Sequence, residues 1–193
     1  MSESDPIVLF KEAFARASAS EPFAAERVAL ATADAEGRPS VRFVLLKGAD
    51  ARGFVFYTNI DSRKGRELLE NPRAALAFHW FTTGDQVRVE GRVEQVSEQE
   101  SDAYFATRPR GSQLGAWASR QSAPIAAREE LEQRVAELER TYAGRDVPRP
   151  GFWGGFRIVP SVIEFWHDRE DRLHDRMLYQ RSSDGWTLTR LSP

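Results

Sequence analysis

Five short segments rich in β-branched and aromatic residues (28–32, 41–47, 54–58, 74–81 and 86–96) crowd one stretch of the chain. Their composition and close spacing read as antiparallel strands. The last of them alternates Val87, Val89 and Val93 with Arg88, Glu90, Arg92 and Glu94, the pattern of a sheet buried on one face and wet on the other. Segments 156–166, 172–180 and 186–191 add three more strands, and Ser182-Ser-Asp-Gly185 joins the last two as a hairpin. Helices are inserted between strands. Asp5-Pro6 opens an amphipathic one carrying Ile7, Phe10, Phe14 and Ala17. A short helix is expected near 62–70, and another runs through Tyr104 and Phe105 behind the capping box Ser97-Glu-Gln-Glu100. A brief one covers 112–117, and a longer charged helix over 124–142 has Ile125, Leu131, Val135 and Leu138 as its narrow apolar stripe. The expected fold is mainly β with inserted helices (α+β), a closed or nearly closed antiparallel barrel.

At 193 residues and 41% hydrophobic content the chain holds one domain, 1–193. The 27 basic and 29 acidic side chains leave a net charge of −2, with no overall attraction to nucleic acid or an anionic membrane. The absence of cysteine excludes disulfides, thiolate nucleophiles and iron–sulfur clusters, and His79, His167 and His174 lack metal-ligand spacing, so no metal is expected. The N-terminus has no leader pattern, and no stretch approaches the roughly 18 apolar residues of a membrane span. A cytoplasmic protein is expected. Neither the dinucleotide, the Walker nor the serine-hydrolase glycine motif occurs.

Three pieces offer chemistry. In Tyr57-Thr-Asn-Ile-Asp-Ser-Arg-Lys64 two cations begin a helix, where they oppose the macrodipole; with the free N–H groups there they form a phosphate cradle, against the alternative of a solvated first turn. Tyr104 and Arg108 lie four apart near Ser112 and can hold a second phosphate, although arginines at a helix end need no ligand. Arg172, His174 and Arg176 alternate on the strand expected at 172–180 and so share a face. Three such cations ask for something negative or electron-rich across them, or for salt bridges with Asp168 or Asp171. Trp166 and Trp153-Gly-Gly-Phe156 can wall a planar ring or simply fill core.

Together these segments resemble the pyridoxine/pyridoxamine 5′-phosphate oxidase family. The resemblance rests on Arg42-Phe-Val-Leu-Leu-Lys47, Phe56-Tyr-Thr-Asn59, Ser62-Arg-Lys64, Arg108-Pro-Arg-Gly-Ser-Gln113, Gly115-Ala-Trp-Ala-Ser-Arg-Gln-Ser122, Phe152-Trp-Gly-Gly-Phe-Arg157, Ile163-Glu-Phe-Trp166 and Arg172-Leu-His-Asp-Arg176. It implies an FMN-binding split β-barrel, a homodimer with FMN at the subunit interface, and oxidation of pyridoxine or pyridoxamine 5′-phosphate with oxygen as acceptor. It further implies that Arg42, Arg63 and Lys64 hold the FMN phosphate, with Gln121 and Ser122 reaching it from the partner subunit. Lys47, Tyr57, Thr58, Gln86, Trp166 and Arg176 match positions around the rest of the flavin. Lys47, Tyr104, Arg108 and Ser112 match the grip on the substrate phosphate, and Arg172 and His174, the catalytic pair, match positions over the substrate ring. Strands 156–193 would complete the substrate site. Two departures stand out. Family members often carry a longer N-terminal extension, and Asp85 occupies a position where a basic residue is expected. Two rivals share the fold, a phenazine-biosynthesis-type FMN oxidase and a non-catalytic flavin-binding protein.

Overall fold

The computed structural model describes residues 5–21 and 25–193. Residues 1–4, on which part of the expectation about a leader falls, lie outside the described residues. Helix α1 (Pro6–Ser20) starts where expected, the Asp5 carboxylate accepting from the Ile7 N–H at 2.9 Å. The strands are β1 (Arg27–Ala33), β2 (Pro39–Leu45), β3 (Gly48–Asp50), β4 (Gly53–Asn59), β5 (Arg73–Trp80), β6 (Asp85–Gln95), β7 (Trp153–His167), β8 (Asp175–Ser182) and β9 (Gly185–Arg190). Between them lie α2 (Arg63–Glu70), α3 (Glu98–Thr107), α4 (Arg110–Ala118) and α5 (Arg128–Thr141). Among the described residues, nine strands form one antiparallel sheet in the order β2-β1-β5-β6-β7-β4-β3, with β8 against β7 and β9 against β8. The two ends of that order, β2 and β3, do not pair, so the barrel is split.

β7 is the spine. β6 runs along one edge of it, while the other edge pairs with β4 over 153–158 and with β8 over 162–167. The alternation read in the sequence decides what faces inward: Leu76, Phe78 and Trp80 on β5, and Val87, Val89 and Val93 on β6, are buried. α1 plugs the barrel with Phe10, whose ring meets Phe54 edge-on at 4.8 Å and packs on Phe78 and Trp80. A second, smaller core of Phe105, Leu114, Val147 and Trp153 sits under α3 and α4.

Three expectations are corrected. The long charged helix begins at Arg128 rather than Pro124, leaving Ile125 outside it and exposed. β3 adds a short strand beyond β2, in which Gly48–Asp50 simply turns back on β4. Most important for function, the strand expected from Arg172 begins only at Asp175. The pairing of His167 with Asp175 and of Trp166 with Arg176 makes residues 168–174 the connecting loop. Glu170–Arg172 is there a single 3-10 turn, with Asp171 and Arg172 at φ 55° and 61°. Arg172, His174 and Arg176 therefore do not share a strand face.

Candidate active site

The chain leaves β4 at Asn59 and turns into α2, whose first turn is tightly built. Ser62 caps it, its Oγ accepting from the Gly65 N–H at 3.3 Å. Gly65 is required there, because a Cβ would lie 2.0 Å from the Ile60 carbonyl oxygen. Lys64, only 8% exposed, donates to Thr58 Oγ1 at 3.1 Å, Ser62 Oγ at 3.2 Å and Gln121 Oε1 at 3.2 Å. All three acceptors are neutral. Burial first and the nearby Arg42 second push its ammonium down to about 8, with Glu67 opposing.

Glu67, one turn on from Arg63, was not foreseen as a site residue. Buried at 5% exposure, it accepts from Thr32 on β1, from Ser40 and Arg42 on β2 and from the Arg63 side chain. Burial alone would raise its carboxyl, but the hydrogen bonds from Ser40, Thr32, Arg63 and Arg42 outweigh it and hold the group down at about 2. Gln121 and Ser122 reach this cluster from the same polypeptide, which corrects the expectation of a partner's contribution: Gln121 also accepts from Thr58 at 3.0 Å, and Ser122 Oγ accepts from the Arg63 backbone N–H at 3.2 Å. The physical reason is that the segment after α4 folds back over the start of α2, with Ser122 at φ 71°.

Tyr57, Tyr104 and Trp153 stack beside this cluster, Tyr57 lying 4.1 Å from the Tyr104 ring at 13° and 5.4 Å from Trp153 at 6°. Gly155 makes room for them, since a Cβ there would lie 2.7 Å from the Tyr57 ring. Arg108, the C-cap of α3, spreads its guanidinium over Trp153 at 4.8 Å. Burial works against its charge, and its buried Nη1 has no hydrogen-bond partner among the described residues. Two adjoining cavities of about 440 and 350 Å³ open here, sharing Tyr57, Thr58, Arg108, Ser112, Gln121 and Trp153. The larger also touches Lys47, Lys64 and Tyr104, and Lys47 pairs with Glu26 at 2.7 Å. Arg110, by contrast, donates to the Tyr142 and Arg145 carbonyls at the end of α5 and needs no ligand.

Gln86, Trp166, Arg172, His174 and Arg176 lie elsewhere. Gln86 pairs with Trp166, and Trp166 with Arg176, at the far end of β7. The His174 ring packs on Trp166 at 4.4 Å, with Nδ1 3.0 Å from Asp168 Oδ1 and 3.2 Å from the Arg169 amide. Arg176 pairs with Glu164 at 2.8 Å, and Arg172 is exposed on its turn. A carboxylate thus lies against each of the two, Asp168 beside the His174 ring and Glu164 beside the Arg176 guanidinium. Asp85 is satisfied locally by His167 at 2.7 Å and Arg16 at 3.6 Å, tying α1 to this end of the sheet.

A family model described as pyridoxamine 5′-phosphate oxidase matches residues 17–142, and one described as the pyridoxine 5′-phosphate oxidase C-terminal dimerisation region matches residues 153–193. A pyridoxine/pyridoxamine 5′-phosphate oxidase of Rubrobacter xylanophilus is 60% identical over 99% of this chain and 88% of its own length. One from Myxococcus xanthus is 58% identical over 98% of this chain and 92% of its own. Among solved structures, PhzG from Burkholderia lata 383, in complex with tetrahydrophenazine-1-carboxylic acid, superposes with a TM-score of 0.94 at 36% identity, covering 100% of this chain and 94% of that one. Two family models over nearly the whole length, with relatives of this similarity, leave one assignment: the chain belongs to the pyridoxine/pyridoxamine 5′-phosphate oxidase family.

Proposed function

We propose that the chain is a cytoplasmic, FMN-dependent homodimer. It oxidises pyridoxine 5′-phosphate or pyridoxamine 5′-phosphate to pyridoxal 5′-phosphate, with oxygen taking the electrons and leaving as hydrogen peroxide. The observation that carries this reading is a buried ammonium, Lys64, and a half-buried guanidinium, Arg108, neither of them in an ion pair among the described residues, that both line the larger cavity, with Arg108 reaching the smaller one as well. A phosphorylated cofactor and a phosphorylated substrate are the ligands that satisfy both. No helix of the described residues is long and apolar enough to cross a membrane, and none of their carboxylates and imidazoles cluster as a metal site.

The residues fit FMN. Arg42, Arg63 and Lys64, with Gln121 and Ser122 at the start of α2, hold its phosphate. Lys47, Tyr57 and Thr58 border the remainder, and a second copy contributes its Gln86, Trp166 and Arg176. When bound, FMN supplies the two-electron redox chemistry. Lys47, Tyr104, Arg108 and Ser112 grip the substrate phosphate, so binding energy remote from the reacting carbon fixes its position. Segment 156–193 of the second copy completes the substrate site, its loop 168–174 bringing Arg172 and His174 over the pyridine ring. With Nδ1 accepting from the Arg169 N–H, His174 leaves Nε2 for the substrate. Both residues orient the ring rather than act as an essential base.

The similarity to PhzG raises a phenazine-type oxidase as a second reading. Such an enzyme keeps the flavin contacts but has no use for Arg108 as a phosphate anchor. An aerobic assay with pyridoxine 5′-phosphate, following aldehyde and peroxide together, separates the two. Equal amounts of both products are expected, whereas a yellow protein that makes no aldehyde from either the alcohol or the amine rejects the reading.

A further inference from the structure

The sequence RKGRELLE of α2 looks like a solvated charged helix, yet Glu67 is buried and contacts side chains from β1, β2 and α2. A buried carboxylate is costly unless its environment needs it. Its two charged partners are Arg42 and Arg63, both expected to hold the cofactor phosphate. Its oxygens divide between them, Oε2 meeting Arg42 at 3.2 Å and Oε1 meeting Arg63 at 2.8 Å. Three cations, Arg42, Arg63 and Lys64, and this one carboxylate leave the cradle with two net positive charges, equal and opposite to a phosphate monoester dianion.

We propose that Glu67 is a positioning residue for the cofactor phosphate: it fixes the two guanidinium groups and trims the charge of the cradle to that of the dianion. This rests on the FMN reading above. Four neighbouring hydroxyl and guanidinium groups would lose their common acceptor without it, and the three cations would repel one another with nothing between them. Lys64 is the group that can yield, because it alone of the three loses its proton in an accessible pH range. The charged and titratable groups around it are Arg42 from β2, Arg63 and Glu67 on its own helix, and Lys47, Tyr57, Tyr104 and Arg108 across the larger cavity. Of these Glu67 is the one that favours the ammonium. Glu67 thereby keeps Lys64 charged and ready before the phosphate arrives.

Flavin-stripped full-length protein titrated with FMN and with riboflavin, at pH values from about 6 to 10, tests this. In the wild type, FMN affinity falls above about pH 8 as Lys64 loses its proton, and riboflavin affinity does not follow it. In Glu67→Gln the descending limb for FMN moves down by about one pH unit. Calorimetry in buffers of different ionisation heat then records a larger proton uptake on FMN binding near neutral pH. Glu67→Asp keeps the charge and loosens the hydrogen bonds, so its limb stays where the wild type has it while its FMN affinity drops. An unmoved limb and unchanged proton uptake in Glu67→Gln overturn the proposal. So does a displaced limb in Glu67→Asp, which keeps the idea exposed should the glutamine variant not fold. A wild type that binds FMN no more tightly than riboflavin rejects the cofactor reading itself.

Discussion

Arg108 holds a guanidinium against an indole with one buried nitrogen unanswered. If its partner is the substrate phosphate, Arg108→Met removes a charge-assisted contact made equally in the ground state and the transition state. KM for pyridoxine 5′-phosphate then rises roughly 10- to 100-fold, while kcat changes little. Steady-state kinetics checks it, and a kcat loss with KM unmoved would place Arg108 outside the phosphate grip. The Arg63–Lys64 pair is legible in the chain, because cations at a helix start oppose the dipole and call for an anion, whereas Arg108 enters only through the family resemblance. Glu67 could not. Its only trace is that Lys64, Glu67 and Leu68 fall three and four residues apart and so share a face; what buries that face is the packing of α2 on β1 and β2, which a single sequence does not display.

The same division holds for whole elements. β5 and β6 announce themselves by period-two alternation because one face is core. β2 is inverted: Arg42 turns toward Glu67 while Val41, Phe43 and Leu45 stand exposed at 70%, 76% and 43%. Its apolar alternation is as clear as that of β5 but points away from this chain's core, so the pattern reveals a strand without revealing what covers it. Residues 172–174 mislead for a different reason, since Arg172, His174 and Arg176 alternate in sequence whether or not a ladder forms; the β7–β8 register decides it. α2 yields the clearest test of an element. Ser62 is fully buried, and its Oγ serves both the Gly65 N–H and the Lys64 ammonium. Ser62→Ala therefore costs about 1–2 kcal/mol of stability from the lost cap, and it weakens FMN binding more than riboflavin binding, because Lys64 loses an acceptor that fixes it. Chemical denaturation and flavin titration measure the two effects; a stability loss with FMN and riboflavin affected alike would separate the cap from the cradle.

The length of β7 governs the architecture of the assembled site. Thr58 pairs with Gly154 near the start of this strand, and Trp166 stands twelve residues further on. At ~3.3 Å per residue a straight strand would separate these positions by at most roughly 40 Å, and the register sets the cradle and Trp166 at opposite ends of β7. The C-terminal segment matches a dimerisation region, and the outward apolar row of β2 gives a second copy a surface to cover. On the proposed reading each site takes its phosphate cradle from one chain and its Gln86, Trp166 and Arg176 from the other. Lys64→Met disables the cradle, and Trp166→Ala disables the opposite half. Each variant alone should be nearly inactive. Unfolded together in equal amounts and refolded, they form mixed dimers in which one site inherits both lesions and the other none. Random pairing makes half the dimers mixed, so about a quarter of the wild-type activity returns. Recovery that fails to appear in mixed dimers, demonstrated by differently tagged subunits purified together, would place both halves of the site in one chain and break this account of the fold's two-part design.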